Sequence, residues 1–331
     1  MSEISEEFTE PEAERQEELT DINDQMVTAT HSHRASICST GLPEFSGENV
    51  DLANRYTYVD SMESLIGLGA FGVVFKGHDR QTSRDVAVKR MSRVHIKENE
   101  LRVIKSLRSP YLVGVLEICQ LDEFTCCLVM ELMDADLEYH IKQKAPTGKL
   151  RPRNLRLIID NIARGYKALF DQRIVHRDIK PQNILVKYDN FDPYHLVSAK
   201  ITDFGIARTL DEDGESDLCN VAGTLFYMAP EVGANLLKCC QYDSKVDMWS
   251  IGCLLYQCVT GEIPFDECIL CKLFLYTAGG NYEAYDAPEL PSQTSEEVCD
   301  IIHSLLEIDS ARRCTPNQFY QTVTAWNPVI C

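Results

Sequence analysis

The octapeptide His176-Arg177-Asp178-Ile179-Lys180-Pro181-Gln182-Asn183 constrains this chain more than any other stretch. It places a carboxylate, an ammonium and an amide within one short segment, between a helical stretch and a strand-like one. The helical stretch is 155–170, where Leu155, Ile158, Ile159, Ile162 and Tyr166 recur at helix spacing. The strand-like pieces are 184–187 and 200–202. Twenty residues beyond Asn183 stands Asp203-Phe204-Gly205, and Ala229-Pro230-Glu231 follows. Ahead of the octapeptide the pattern differs. Segments rich in β-branched and aromatic residues cover 73–76, 85–89, 113–118 and 126–131, interrupted by a helical face of Leu101, Ile104 and Leu107. Strands first and helices afterwards predict an α+β chain of two unequal lobes.

Charge narrows the function classes. The 331 residues carry 32 basic and 51 acidic side chains, a formal charge of −19. Such a surface repels phosphodiester backbones, which argues against general nucleic-acid binding. Any phosphate the chain handles must meet a small, local positive site. No apolar run approaches the length of a membrane span, and the acidic start lacks the basic-then-apolar order of a secretory signal. Fourteen cysteines stand in the chain, and Cys119, Cys126, Cys127, Cys253 and Cys258 sit in apolar runs. They read as reduced, buried thiols, so the expected compartment is the cytoplasm, with the nucleus as the alternative. The negative charge is uneven. Residues 1–24 hold ten acids against one base, Arg15, and account for −9 of the total. With the Ser-, Thr-, Gly- and Pro-rich stretch that follows, they predict a disordered acidic tail over 1–55.

Gly67-Leu68-Gly69-Ala70-Phe71-Gly72 is a GxGxxG run, and alone it says little. A dinucleotide fold needs that run to open a helix. Here Val73-Val74-Phe75-Lys76 follows, so the order is strand–loop–strand. Glycines at such a turn let the backbone fold closely over an anion, with Phe71 at the tip. An ordinary Gly-rich hairpin is the plainer reading of this piece. Seventeen residues after Gly72 comes Lys89, at the end of the buried-looking strand Val86-Ala87-Val88. A lysine inside an apolar strand is costly unless anions pair with it. A triphosphate on one side and a carboxylate on the other meet that need.

These pieces, in this order, resemble the signature set of eukaryotic protein kinases over residues 56–320. The resemblance implies a bilobal protein kinase fold: a β-rich N-lobe with one helix over 56–133, a mostly helical C-lobe over 134–322, and a C-terminal tail over 323–331. It also implies ATP and Mg²⁺ as cofactors and a protein substrate with a Ser or Thr acceptor. By resemblance, Asp178 orients or accepts the hydroxyl proton, Lys180 neutralises the moving phosphoryl group, and Asn183 and Asp203 hold Mg²⁺. Lys89 reaches the α- and β-phosphates. Ile66, Gly67, Leu68, Gly69, Ala70, Phe71, Gly72 and Val73 cover the nucleotide. Val74, Ala87 and Leu185 sandwich adenine, Met130 is the gatekeeper, and the backbone of Glu131 and Met133 bonds the base. Lys180 two residues after Asp178, and Thr224 ahead of Tyr227, resemble the serine/threonine type. Asp247 and Trp249 resemble the central helix of the large lobe, and Arg313 resembles the arginine that pairs with Glu231.

Departures from the family pattern bear on regulation. The helix-borne glutamate expected opposite Lys89 falls at Glu100, with Glu98 as runner-up. Glu100 lies only 11 residues after Lys89, a gap that implies a helix shortened by about one turn, ~5 Å. Arg177 before Asp178 implies control through the activation segment. There, Asp211-Glu212-Asp213-Gly214-Glu215-Ser216-Asp217 predicts either phosphorylation of Ser216 or acids standing in for phosphate; a plain solvated acidic loop is the third reading. Within the family, the 188–199 insert and the run from Leu254 to Gly261 look like the ULK, autophagy-initiating kinases, with IKK/TBK relatives next. Glu131-Leu132-Met133-Asp134 is more similar to MAP kinases, but the 64 residues from Trp249 to Arg313 leave no room for the insert those kinases carry, so the ULK-like reading leads. A regulatory protein partner is left open. The competing class is a pseudokinase acting as scaffold, favoured only by the short helix, since Lys89, Asp178 and Asp203 are all present.

Overall fold

The computed structural model describes residues 45–69, 72–92, 105–203, 208–209, 224–235 and 243–326. The first lobe is an antiparallel sheet of β1 (Asn49–Leu52), β2 (Tyr56–Val59), β3 (Leu65–Gly69), β4 (Gly72–Asp79), β5 (Arg84–Ser92), β6 (Val115–Gln120) and β7 (Thr125–Glu131). The spatial order is β1-β2-β4-β5-β7-β6, with β3 also paired to β4. β5 is the central strand. Val86, Ala87, Val88 and Lys89 are buried in succession, and the register sets Ala87 beside Met130 and Lys89 beside Leu128. Phe75 fills the core beneath the sheet, stacked on Tyr58 at 4.8 Å and met edge-on by Phe45 at 6.1 Å.

The sheet therefore begins earlier than the expected tail over 1–55 allows. β1 lies inside that stretch, and Leu52 and Tyr56 are buried. β1 and β2 are four residues each, and sparse apolar content between Gly47 and Tyr56 hides them in a composition reading. The hairpin is secured by a bidentate pair, Arg55 Nε and Nη2 to Asp79 at 3.0 and 2.7 Å. That pair, with two backbone N–H donors, holds the Asp79 carboxyl far below the usual range.

The second lobe opens at β8 (Ala135–Asp136), a helical turn at 137–139 and a π-turn at His140–Lys144. It continues through α1 (Pro152–Asp171), β9 (Ile174–Val175), β10 (Ile184–Tyr188), β11 (Leu196–Ile201) and β12 (Arg208–Thr209). The helices α2 (Pro230–Ala234), α3 (Lys245–Thr260), α4 (Glu267–Gly279), α5 (Glu296–Leu305) and α6 (Pro316–Trp326) complete it. α1 starts with Pro152 at its first position, where the missing N–H is no loss, and buries the stripe Ile158, Ile159, Ile162, Tyr166 and Leu169. α3 is buried on nearly all sides, as a helix apolar all round must be. It ends at Gly261, whose φ of 85° is the left-handed cap.

Two expected boundaries shift. α6 runs through Trp326, past the limit at 322, because Val323 is fully buried and Arg156 stacks on the Trp326 ring at 4.7 Å. The expected insert at 188–199 is part strand: 189–195 is loop between β10 and β11, and Asn154 grips it through Tyr194 O and Leu196 N. Among the described residues, no helix is long and apolar enough to cross a membrane. Cys119, Cys126, Cys127, Cys253 and Cys258 are buried, and burial pushes the Cys127 thiol up to about 12.

Candidate active site

The octapeptide follows β9 and is fixed from below by one carboxylate. Asp247, fully buried on α3, accepts the N–H of His176 at 2.6 Å and of Arg177 at 2.7 Å. The Tyr166 hydroxyl on α1 donates to the same carboxylate at 2.7 Å. These bonds over-determine a strained turn, since Arg177 sits at φ 69°, a left-handed conformation that costs about 1–2 kcal/mol for a residue with a Cβ. His176 is completely buried. Its Nδ1 accepts from Asp178 N at 3.3 Å, so Nε2 carries the proton and donates to Thr202 O at 2.8 Å. One ring thus ties the octapeptide to the residue before Asp203.

Asp178 is nine-tenths buried and its two carboxylate oxygens are both engaged. Oδ1 accepts the Thr224 hydroxyl at 2.8 Å. Oδ2 meets Lys180 Nζ at 2.7 Å and the Asn183 amide N–H at 3.0 Å. Lys180 Nζ also donates to Thr224 Oγ1 at 2.7 Å, closing a triangle. Lys89, 7% exposed on β5, reaches across the lobes to Asp203 Oδ1 at 2.7 Å. Asp203 itself takes φ 63°, a left-handed conformation just after β11.

Asn183 uses its amide N–H on Asp178 O and Oδ2, at 2.7 and 3.0 Å. Its amide oxygen has no donor among the described residues. That oxygen and the Asp203 carboxylate are hard ligands, two in number, the set that suits a magnesium ion whose other positions go to water and phosphate. The residues present fit the ion.

Above them lie the expected nucleotide residues. β3 and β4 form the predicted strand–loop–strand, with Ile66 and Leu68 about half exposed on its roof. Gly72 has φ 148°, and a Cβ there would lie 2.2 Å from Arg90 O, so only glycine lets β4 pass β5 this closely. Val73 and Val74 begin β4, Ala87 and Met130 are cross-strand neighbours, and Leu185 lies on β10 opposite Asp136. At the hinge, Glu131 N–H is taken by Gly114 O at 3.0 Å, while Met133 N–H has no partner among the described residues. The Glu131 side chain was missed as a functional element. It bonds Lys200 Nζ at 2.7 and 2.8 Å and Gly114 N–H at 2.7 Å, a polar strut from the hinge to β11. Its isolated charge carries no sequence signal.

Four expected site residues, Ala70, Phe71, Glu100 and Ser216, lie outside the described residues, as does the runner-up Glu98. Among the described residues, Lys89 pairs with Asp203. Behind Thr224, the chain is moored to α3: Ser250 Oγ donates to Tyr227 O at 2.7 Å, and Tyr227 Oη to Gln257 at 2.6 Å. Glu231 on α2 meets Arg313 in a bidentate pair at 2.6 and 3.0 Å.

The Tyr166 bond makes a measurable prediction. Burial raises the Asp247 carboxyl above its usual value, and the Tyr166 hydroxyl and the two N–H donors oppose that rise. Tyr166→Phe removes one of those donors, so the carboxyl rises further. The acid limb of kcat against pH should move to higher pH, with a stability loss of about 1.5–3 kcal/mol, the scale of a hydrogen bond to a charge. Thermal melts and a pH–rate profile check both; an unmoved acid limb would deny Asp247 its part in holding the loop.

A two-lobed fold with a lysine, an aspartate and an asparagine facing a glycine-rich hairpin is the arrangement of a phosphotransferase. The protein kinase domain family matches residues 61–324, most of the chain, and the chain belongs to that family. Human serine/threonine-protein kinase D2 is 33% identical over 274 residues, 80% of this chain and 29% of that protein. Serine/threonine-protein kinase RAD53 of Saccharomyces cerevisiae is 32% identical over 308 residues, 87% of this chain and 36% of its own length. Human serine/threonine-protein kinase ULK1 is 32% identical over 273 residues, 78% of this chain and 24% of its own. The chain thus spans about a quarter to a third of these relatives. The β1–β2 hairpin precedes the matched range.

Proposed function

We propose that this chain transfers the γ-phosphoryl group of ATP to serine or threonine hydroxyls of protein substrates. The observation that carries the proposal is the Thr224 hydroxyl bonded to Asp178 Oδ1 with Lys180 Nζ touching both. It supports a site in which Asp178 accepts from an aliphatic hydroxyl while an ammonium stands beside the oxygen. A substrate hydroxyl in place of Thr224 Oγ1 would be oriented by Asp178 and lose its proton to it. Lys180 would balance charge on the oxygens in transit. Transfer of this kind needs positioning and charge neutralisation more than covalent chemistry.

Lys89, next to Asp203, would bind the α- and β-phosphates beneath the β3–β4 hairpin. Asp203 and Asn183 would hold Mg²⁺, which supplies charge neutralisation on the phosphates when bound. Val74, Ala87, Met130 and Leu185 supply apolar walls for adenine, and Met133 N–H a free donor at its edge. Glu100 as the partner of Lys89, and Ser216 as a regulatory phosphosite, are proposed on sequence alone.

The test is transfer of labelled γ-phosphate to a Ser/Thr peptide library, with Asp203→Asn as control. Transfer well above that control is the expected result. Transfer no greater than the control, with ATP still bound, would favour the scaffold reading. Identity with ULK1, together with the 188–199 segment, favours an ULK-like intracellular signalling role. RAD53 and D2 match to the same degree, so an autophagy-type role rests on the sequence likeness.

A further inference from the structure

Helix α1 carries the wrong charges at its start. The N-terminus of a long helix is its positive end, and acids in the first turn stabilise it while cations oppose it, by about 0.3–1 kcal/mol each. α1 spans 20 residues, has no side-chain cap and no acid in its first turn, and places Arg151 at the cap and Arg153 two positions later. Lys149 precedes them. Lys144, from the π-turn, stands over the Tyr194 ring at 5.8 Å, where Arg151 also stands at 5.6 Å; Lys144 is 5.9 Å from the Tyr188 ring as well. Two cations thus share one aromatic ring beside a positive helix end.

No carboxylate among the described residues lies within ion-pair distance of Lys144, Lys149, Arg151 or Arg153, whereas Lys142 has Glu138 at 2.8 Å. Four aspartates of the neighbouring segments are bonded to backbone N–H groups. Asp136 accepts from Tyr139 N at 2.7 Å, Asp134 from Tyr188 N at 2.8 Å, Asp189 from Phe191 N at 2.8 Å, and Asp192 from Tyr194 N at 2.9 Å. Arg151 and Arg153 are exposed, and Lys144 and Lys149 half-buried. In a chain of charge −19, an unpaired basic face at a helix start conflicts with local electrostatics, and such conflicts mark sites where another group completes the arrangement.

We propose that this face docks the acidic segment 3–24 of the same chain, whose carboxylates meet Lys144, Lys149, Arg151 and Arg153. Charge complementarity selects it: residues 1–24 hold ten acids and one base. Length permits it. The twenty residues 25–44 that join the segment to Phe45 can reach at most about 66–72 Å. A folded body of this size has a radius of gyration of about 19 Å. The carboxylates also correct the helix start, because they stand where the macrodipole favours negative charge.

The experiment is zero-length carbodiimide cross-linking of the full chain at low ionic strength, followed by peptide mapping. The expected product joins Lys144 or Lys149 to a Glu or Asp of residues 3–24 within one chain, at a yield independent of protein concentration. The yield should fall at least tenfold in 0.5 M NaCl, and at least tenfold in the double variant Arg151→Glu/Arg153→Glu. Both replaced residues are exposed, and a melt of the variant verifies that it folds. Cross-links from 3–24 to other lysines, unchanged in the double variant, would overturn the proposal. So would links that form only between chains, since the occupant would then be a second copy, and so would the absence of any link from 3–24.

Discussion

Asp178→Asn should lower kcat by about 100- to 10,000-fold, the span associated with a positioned proton acceptor, while the KM for ATP changes little. The amide keeps the size of the carboxylate and can still accept from Thr224 and donate elsewhere, so the loop has no steric reason to move. What disappears is the charge. Asn cannot take the hydroxyl proton, and Lys180 Nζ at 2.7 Å loses its anionic partner. The KM expectation follows from position: Asp178 bonds Thr224, Lys180 and Asn183, and the Lys89–Asp203 pair lies on the nucleotide side. Steady-state kinetics with a phosphorylated peptide readout measure both constants. A rate within tenfold of the parent would mean that another group accepts the proton. Asp203→Asn should differ in kind, with a raised KM for ATP accompanying the lost rate, because Asp203 faces Lys89 and the proposed metal position.

Arg313→Leu should produce the largest stability loss. Arg313 is fully buried and spends its donors on five acceptors: both Glu231 oxygens, Glu307 O, Lys245 O and Ile308 O. It also stacks on Trp249 at 5.1 Å. Removing one partner of a buried pair strands the other charge and costs about 3–5 kcal/mol. That corresponds to a melting temperature lower by ~10 °C in a domain of this size. Arg313→Lys should recover little, since an ammonium cannot span two carboxylate oxygens and three carbonyls. A double variant, Glu231→Leu/Arg313→Leu, should be more stable than Arg313→Leu alone, because no charge is left stranded. Equal melting temperatures for the single and double variants would show that lost packing dominates.

Much of the site was legible in the chain because its chemistry is dense in sequence. Asp178, Lys180 and Asn183 fall within six positions, a loop can only bring them together, and the structure joins them within 3.0 Å. Lys89 was legible as an anomaly, a cation in an apolar strand, though its described partner Asp203 lies 114 positions away. The Tyr166–Asp247 bond was not legible. Tyr166 fell correctly on the buried stripe of α1, but a stripe says only that a side chain is inside, not which buried carboxylate its hydroxyl meets. The β1–β2 hairpin was also hidden. Four-residue strands have too few positions for periodicity to rise above a polar background, and their stability comes from Phe75, Asp79 and β4, which lie later in the chain.

The sequence by itself determined the two-lobed α+β order, the family and the identity of the residues that carry charge. Those depend on local pattern and on short motifs, which are properties of neighbours along the chain. Only the tertiary structure decided that one buried carboxylate on α3 sets the octapeptide, that Glu131 braces the hinge through Lys200, and that Lys144 and Arg151 converge on Tyr194. Each joins elements distant in sequence. A carboxylate or a cation has the same formula wherever it stands, and its energy depends on the partners and solvent that the fold assembles around it.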